Sequence, residues 1–558
     1  MTDAVRIDRN TPAVGEVTRA EIFALALMAP LVTGVTLPYF LDLFGLPLLP
    51  RITLIIAAGV ALIVARQWRF ASTARVELLV AVLGGLGTWA FLLSQTWPAL
   101  LPPGSGPDLT HHLLLIDYLQ RTGSLVRDPA AAAALGEMAH YPPGVHLLAV
   151  LAGALVPGGG VTALYPVVAF CVALKFSFFF LILLRLLPGI AGQTPLAATG
   201  AALVVCVSTY TFGSFLQDSF LAQVVAELFA IAMWWTLIVW FQRPSAWSMG
   251  LFGACGVAAF LTWPVWVGVP CTALVFLIVA RRDLPWSQRV GQAVRAMLPI
   301  AAVTTIHAAS HGGAFGLIAT GGAVSQPSLT SIRWWLPVLA LVGVMRSWRR
   351  PAVWPLFALI GATGLQAALL WWVAATRGAT NPYMAVKMIY LGVYPLIALA
   401  VIGVSAGVGG RPGSVWRGGL APATWNAVIA VTLFAVATRD VSHVSRHSPD
   451  ISADMWRAGL WARDHLPGHC VDYLVGNEYT AYWLHLAVLR NSRADARSTT
   501  NETYLTQPTV ARWLVDRGVP YAIADLAFLP AEIRARTRDL YQVGGAVVIA
   551  RDGECRAQ

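Results

Sequence analysis

Long apolar runs separated by short polar stretches fill the chain as far as about residue 440. Runs of spanning or near-spanning length fall at about 21–41, 48–66, 78–100, 142–156, 163–187, 196–211, 222–241, 248–262, 264–280, 293–309, 332–346, 352–376, 384–405 and 421–437. A helix needs roughly 20 apolar residues to cross a bilayer. The run at 142–156 is the weakest, because it opens on Pro142-Pro143 and keeps only about thirteen apolar residues. It is expected to be a partial or re-entrant element, which leaves about thirteen spans. An alternative joins 248–262 and 264–280 through Trp263-Pro264 into one kinked span.

Beyond residue 440 the pattern changes. SADMWRAGLWARDHL reads as a helix with Ser452 as its N-cap, CVDYLVG as a strand and TAYWLHLAVL as a helix. PTVARWLVDRGVPYAIADL reads as a helix followed by a strand, and YQVGGAVVIAR as a closing strand or hairpin. This alternation predicts a small layered α/β fold. The expected organisation is a polytopic α-helical membrane domain over 1–440 and a soluble α/β domain over 441–558.

Composition agrees. Only 12% of the 558 residues are charged and 57% are hydrophobic, whereas soluble domains carry roughly 25% charged residues. The net charge of +11 does not point to nucleic acid, because most arginines lie in short clusters between apolar runs. The N-terminal tail is polar, and the first apolar run is too long for a cleavable signal peptide. Arg6, Arg9 and Arg19 place the N-terminus in the cytoplasm, with Arg66, Arg69 and Arg75 in a second cytoplasmic loop. The 101–141 loop then lies outside. If 142–156 does not span, the later arginine clusters at 281–295, 346–350 and 411–417 are cytoplasmic too, and the C-terminal domain is extracytoplasmic. There Cys470 and Cys555, flanking the α/β module, are permitted to pair.

The external face gathers unusual chemistry. Residues 107–146 hold Asp108, the pair His111-His112, and His140-Tyr141-Pro142-Pro143-Gly144-Val145-His146. Within them, LTHHLLLIDYLQ has the spacing of an amphipathic helix lying along the interface. Asp218 occupies a short turn between two apolar runs, and Lys387 begins another run in NPYMAVKMIY, with Arg377 and Arg333 as alternative cations. His307 and His311-Gly312-Gly313 open a glycine-rich loop. Ionisable groups near a bilayer are costly and mark functional sites by default.

These features resemble the GT-C superfamily of multi-spanning glycosyltransferases. The family includes protein O-mannosyltransferases, the aminoarabinose transferase acting on lipid A, and actinobacterial arabinofuranosyltransferases. An acidic residue in the first large external loop, a tyrosine-proline start to the next apolar element and a second acid some segments later are its shared features. Here they look like Asp108, Tyr141-Pro142-Pro143-Gly144 and Asp218. The resemblance implies transfer of a hexosyl or pentosyl group from a polyprenyl-phosphate-linked donor at the outer face of the cytoplasmic (inner) membrane. The acceptor would be a glycan, a lipid-linked glycan or a protein. The chain departs from the pattern in having Leu109 rather than an acid beside Asp108, which leaves the subfamily and any metal dependence open.

Such a reaction needs a base for the acceptor hydroxyl and a stabiliser for the leaving phosphate. Asp108 suits the base and, equally, a helix N-cap. His111, His112, Tyr141 and His146 suit substrate positioning or structural hydrogen bonding. Asp218 suits a second catalytic carboxylate or a cap. Lys387 suits a phosphate-binding point charge or a snorkelling lysine, with Arg377 where a planar fork is needed. No cofactor is certain. A divalent metal held by Asp108, a histidine and Asp218 is possible, although that ligand set does not specify one. No nucleotide-binding or zinc motif is present. A polysaccharide polymerase or ligase, or a lipid-linked-sugar transporter, remains the alternative.

Overall fold

The computed structural model of the chain describes residues 16–72, 75–103, 107–129, 132, 135–187, 190, 192–206, 213–310, 333–379, 382–405, 422–442, 450–467, 470–476, 478–488, 506–515 and 519–555. Helix α1 (Arg19–Leu43) starts at a capping box. Thr18 Oγ1 accepts from the Glu21 amide at 3.3 Å, and the Glu21 carboxylate accepts from the Thr18 amide at 2.8 Å. Two of the amides that a helix start leaves open are thereby satisfied. Helices α2 (Pro50–Arg66) and α3 (Arg75–Ser94) follow, then α4 (Pro107–Thr122) and the short α5 (Gly144–Gly153).

The bundle continues with α6 (Gly159–Leu186), α7 (Gln193–Cys206), α8 (Leu221–Gln242), α9 (Ala246–Phe260) and α10 (Gly268–Ala280). Then come α11 (Trp286–Ser310), α12 (Trp335–Ser347), α13 (Trp354–Thr376), α14 (Tyr383–Val404) and α15 (Pro422–Ser442). Among the described residues, eight helices are long and apolar enough to cross a membrane, and shorter apolar helices pack among them. Close backbone approach joins α12 to α14: a Cβ at Gly343 would stand 2.0 Å from Leu399 O, and one at Gly403 2.3 Å from Leu339 O. Small residues at such crossings are how helices gain van der Waals contact within lipid.

Polar contacts sort the helix termini into two ends. Arg185, in the last turn of α6, pairs with Glu21 at the start of α1 and donates to Gln242 Oε1 at the end of α8 at 2.6 Å. Trp235 Nε1 joins them, donating to Glu21 Oε1 at 3.0 Å. At the opposite end, Asp42 of α1 accepts from the Leu125 amide at 2.9 Å and from Arg127, which pins the polar 107–146 stretch to the bundle.

This arrangement bears on two expectations. Helix α9 starts beside Arg243, and α10 ends at Arg281, whose guanidinium donates to Phe241 O. The two therefore run antiparallel, as a hairpin turned at Trp263-Pro264, and not as one kinked span. Helix α5 has ten residues, a length of about 15 Å, half the roughly 30 Å of a bilayer core. The apolar stripe of helix α4 is turned into the protein: Leu109, Leu113 and Ile116 are fully buried, and the helix packs on α5 and α6.

The C-terminal part holds α16 (Ala453–His465), α17 (Glu478–Val488) and α18 (Thr506–Val515) beside a four-stranded sheet. Ser452 caps α16, its Oγ accepting from the Met455 amide at 3.1 Å. The strands β1 (Val471–Leu474), β2 (Tyr521–Asp525), β3 (Arg538–Val543) and β4 (Ala546–Ala550) stand in the order β1-β2-β4-β3. Strands β1 and β2 are parallel, β2 and β4 antiparallel, and β3 and β4 form the hairpin. Cys470 and Cys555 are joined in a disulfide with their Cα atoms 5.6 Å apart. Helix α17 packs against α4, so this layer sits on the end of the bundle that carries the polar stretch.

Candidate active site

The start of α5 is seated against the turn at 261–263. The Gly144 amide donates to Leu261 O at 2.7 Å. A Cβ at Gly144 would meet Thr262 Oγ1 at 2.3 Å and Leu261 O at 2.8 Å. Only glycine fits that approach, and it fixes the Tyr-Pro-Pro-Gly segment relative to Trp263.

Beside it, the aromatic and imidazole side chains of α4 and α5 converge. His112 Nδ1 and His146 Nε2 are hydrogen-bonded at 2.8 Å, and both rings are buried. One nitrogen of that contact must carry the proton and the other the lone pair, so the tautomers of the two rings are coupled and His146 holds the ring of His112 in place. Tyr141 stands edge-on to both rings, with centroids 5.4 Å from His112 and 5.8 Å from His146, and lies 5.9 Å from the ring of Trp263. A small cavity of about 10 Å³ lies behind this wall, bounded by Tyr39, Tyr141, Pro143 and His307 among others. His307 is held there by the Tyr39 hydroxyl, 3.1 Å from its Nδ1.

Across Trp263 lies a buried cation. Lys387, in the first turns of α14, is only 2% exposed. Its Nζ stands 3.9 Å from the ring centroid of Phe220, 4.2 Å from Tyr383 and 5.1 Å from Trp263. Ring quadrupoles stabilise a cation by about 0.5–2 kcal/mol per contact. They do so without fixing a single partner geometry. Phe220 follows Asp218 by two residues, and the Asp218 carboxylate acts electrostatically on Tyr390, one turn along α14 from Lys387. Ring contacts thus run from His112 and His146 through Tyr141 and Trp263 to Lys387 and Phe220.

The expected site residues divide accordingly. His112, Tyr141, His146, Lys387 and Asp218 are brought to one end of the bundle. Asp108 lies in the first turn of α4, one helical turn before His112, and His111 is on the same helix; the side chains of both lie outside the described residues, as do His311, Gly312 and Gly313. Arg377 is exposed at the C-cap of α13, and among the described residues no contact joins it to the Lys387 cage. Among the described residues no three His, Cys, Asp or Glu side chains gather as a metal-holding group.

One buried cluster was missed in the sequence. Lys175 of α6 and Glu227 of α8 form an ion pair at 2.9 Å, with side chains 3% and 0% exposed. The Tyr394 hydroxyl donates to the same Glu227 oxygen at 2.8 Å, and Gln223 Nε2 lies 3.5 Å from the other. Tyr394 is two turns below Lys387 on α14, and Glu227 is two turns below Phe220 on α8. The Tyr394–Glu227 hydrogen bond therefore ties α14 to α8, the helices that carry the cage, and Lys175 joins α6 to them. The signal available was one charge of each sign inside two apolar runs.

No protein-family model and no curated protein sequence matches the chain. Solved structures do. The Archaeoglobus fulgidus oligosaccharyltransferase in the apo form is similar with a TM-score of 0.50 at 12% identity, over 82% of this chain and 70% of its own. ArnT from Cupriavidus metallidurans in the apo state is similar with a TM-score of 0.46 at 14% identity, over 86% of this chain and 98% of its own. The archaeal enzyme AglB in complex with an inhibitory peptide and a dolichol-phosphate gives a TM-score of 0.43 at 12% identity, over 81% and 69%. The fold of this chain is thus similar to that of the Archaeoglobus fulgidus oligosaccharyltransferase.

Proposed function

We propose that this protein transfers a sugar from a polyprenyl-phosphate donor to a hydroxyl of a glycan, lipid-linked glycan or protein at the outer face of the cytoplasmic membrane. In this reading the chain makes about thirteen crossings, with α5 dipping and returning. The 1–440 region is the membrane domain, and 441–558 is an extracytoplasmic α/β domain in which the Cys470–Cys555 disulfide is at home.

The observation that carries the reading is the Lys387 cage, a buried cation at the end of the bundle, joined through Trp263 and Tyr141 to the His112–His146 pair. In the proposed step Asp108 takes the acceptor hydroxyl proton as the oxygen attacks the anomeric carbon. The bond from that carbon to the phosphate oxygen breaks, and the leaving phosphate keeps the electron pair. Lys387, as a compact point charge, offsets the charge that develops there. His112, held by His146, stands one helical turn from Asp108 and positions the acceptor, with Tyr141 as the wall of the cleft. His111 and Asp218 complete the binding surface on either side. Arg377, exposed at the rim, serves the incoming donor.

The test is transfer of sugar from a purified lipid-linked donor by the purified protein. Asp108→Asn is expected to lower the rate about 10²–10⁴-fold, the contribution typical of a general base. A variant with full activity overturns the assignment.

A further inference from the structure

A large cavity lies at the other end of the bundle, away from the proposed catalytic wall. It measures about 1360 Å³ and opens between α1, α2, α8 and α9. That exceeds the roughly 300–1,000 Å³ typical of pockets for small soluble ligands. Its lining is sorted by depth. At the mouth stand Arg69, just after α2, and Arg243, just after α8. Both are exposed, and among the described residues neither side chain makes a hydrogen bond or ion pair. Glu16 is the one carboxylate of the lining, so the mouth keeps a net positive charge.

Inward, the walls turn apolar: Ile22, Leu25, Met28 and Val32 descend α1, faced by Ile63 of α2 and Leu251 of α9. From Ile22 to Val32 the helix rises about 15 Å. That is half of a bilayer core of roughly 30 Å, the depth of one leaflet.

We propose that this cavity is a binding site for one anionic diacyl phospholipid, its phosphate between Arg69 and Arg243 and its acyl chains along the α1 and α2 walls. The two arginines set the sign of the headgroup. The one-leaflet depth and apolar walls select a diacyl chain over a soluble phosphate, which would gain nothing from them. The site is independent of the transfer reaction, since it lies at the end of the bundle marked by Glu21 and Arg185 and shares no residue with the Lys387 cage.

The experiment is native mass spectrometry of the delipidated full chain in detergent, titrated in parallel with phosphatidylglycerol and phosphatidylcholine. One phosphatidylglycerol per chain is expected to bind in preference to phosphatidylcholine. In the double variant Arg69→Ala/Arg243→Ala that preference should shrink on the order of thirtyfold, at about fivefold per arginine near an anionic lipid. Gly250 lines the cavity, and a Cβ there meets nothing within 4 Å. Gly250→Trp should therefore fill the space and abolish binding of both lipids without a packing clash. The lipid-free unfolding temperature of each variant reports whether it has folded. Equal affinity for the two lipids, or unchanged phosphatidylglycerol binding in either folded variant, overturns the proposal. So does a lipid count that rises when residues 2–15 are removed, because the chain's own N-terminal segment would then be the occupant.

Discussion

Two lysines are buried in the same bundle, and their surroundings differ in kind. Lys175, in the middle of α6, is closed into an ion pair with Glu227 that also accepts from Tyr394. Lys387, at the start of α14, sits among the faces of Phe220, Tyr383 and Trp263. Both side chains are almost wholly buried, so burial alone does not separate structure from function. The two differ in the partners that surround them. A carboxylate at 2.9 Å fixes the position of its lysine and neutralises it. Ring faces lower the cost of burying a cation through the attraction of the ring quadrupoles. In our account the Lys175–Glu227–Tyr394 cluster braces the helices that carry the second lysine.

The sharpest way to break that comparison is to unpair the brace. Glu227→Leu alone should destabilise the folded protein by about 3–5 kcal/mol, because an uncompensated Lys175 remains in the core. The double change Lys175→Met/Glu227→Leu should recover most of that loss, as read by unfolding in detergent. If the single and double variants are equally destabilised, the pair is not acting as a unit.

Next in size is the cage. Lys387→Met should reduce sugar transfer about 10²–10³-fold, the effect of removing one preorganised charge-stabilising group, while moving the unfolding midpoint less than Glu227→Leu does. Transfer kinetics and thermal unfolding on the same preparation separate the two roles. Lys387→Arg should not restore activity, because a planar fork does not replace a point charge among three rings. The smallest effect is expected from Phe220→Leu. Loss of the ring face 3.9 Å from Nζ should weaken donor binding by about 0.5–2 kcal/mol, visible in KM more than in kcat.

Much of the fold was legible because hydrophobic runs report burial directly. The α5 element stood out by its two prolines and its length, and the α/β layer by its alternation of helix and strand. The site was legible only in part. Charge and residue type marked Asp108, Asp218 and Lys387, but nothing in the chain says that His112 meets His146, 34 positions away. Nor does it say that Lys387 lies buried in the first turns of a central helix while Arg377 is exposed at a helix end. Lys175 and Glu227 were hidden for a different reason. Each is a single charge averaged over a long apolar window, and only their opposite signs on separate spans foreshadow a pair. The seat of Gly144 on Leu261 and Thr262 is likewise a tertiary fact, since that glycine sits in a Pro-Pro-Gly run that suits any turn.

The most direct measurement is a cryo-electron microscopy structure of the protein with a non-transferable polyprenyl-phosphate sugar bound. The account predicts the donor phosphate at hydrogen-bond distance, about 3 Å, from Lys387 Nζ, with the sugar between that cation and the Tyr141–His112 wall. A phosphate bound at Arg377 or at the opposite end of the bundle, with the Lys387 cage closed by its own rings, would contradict it.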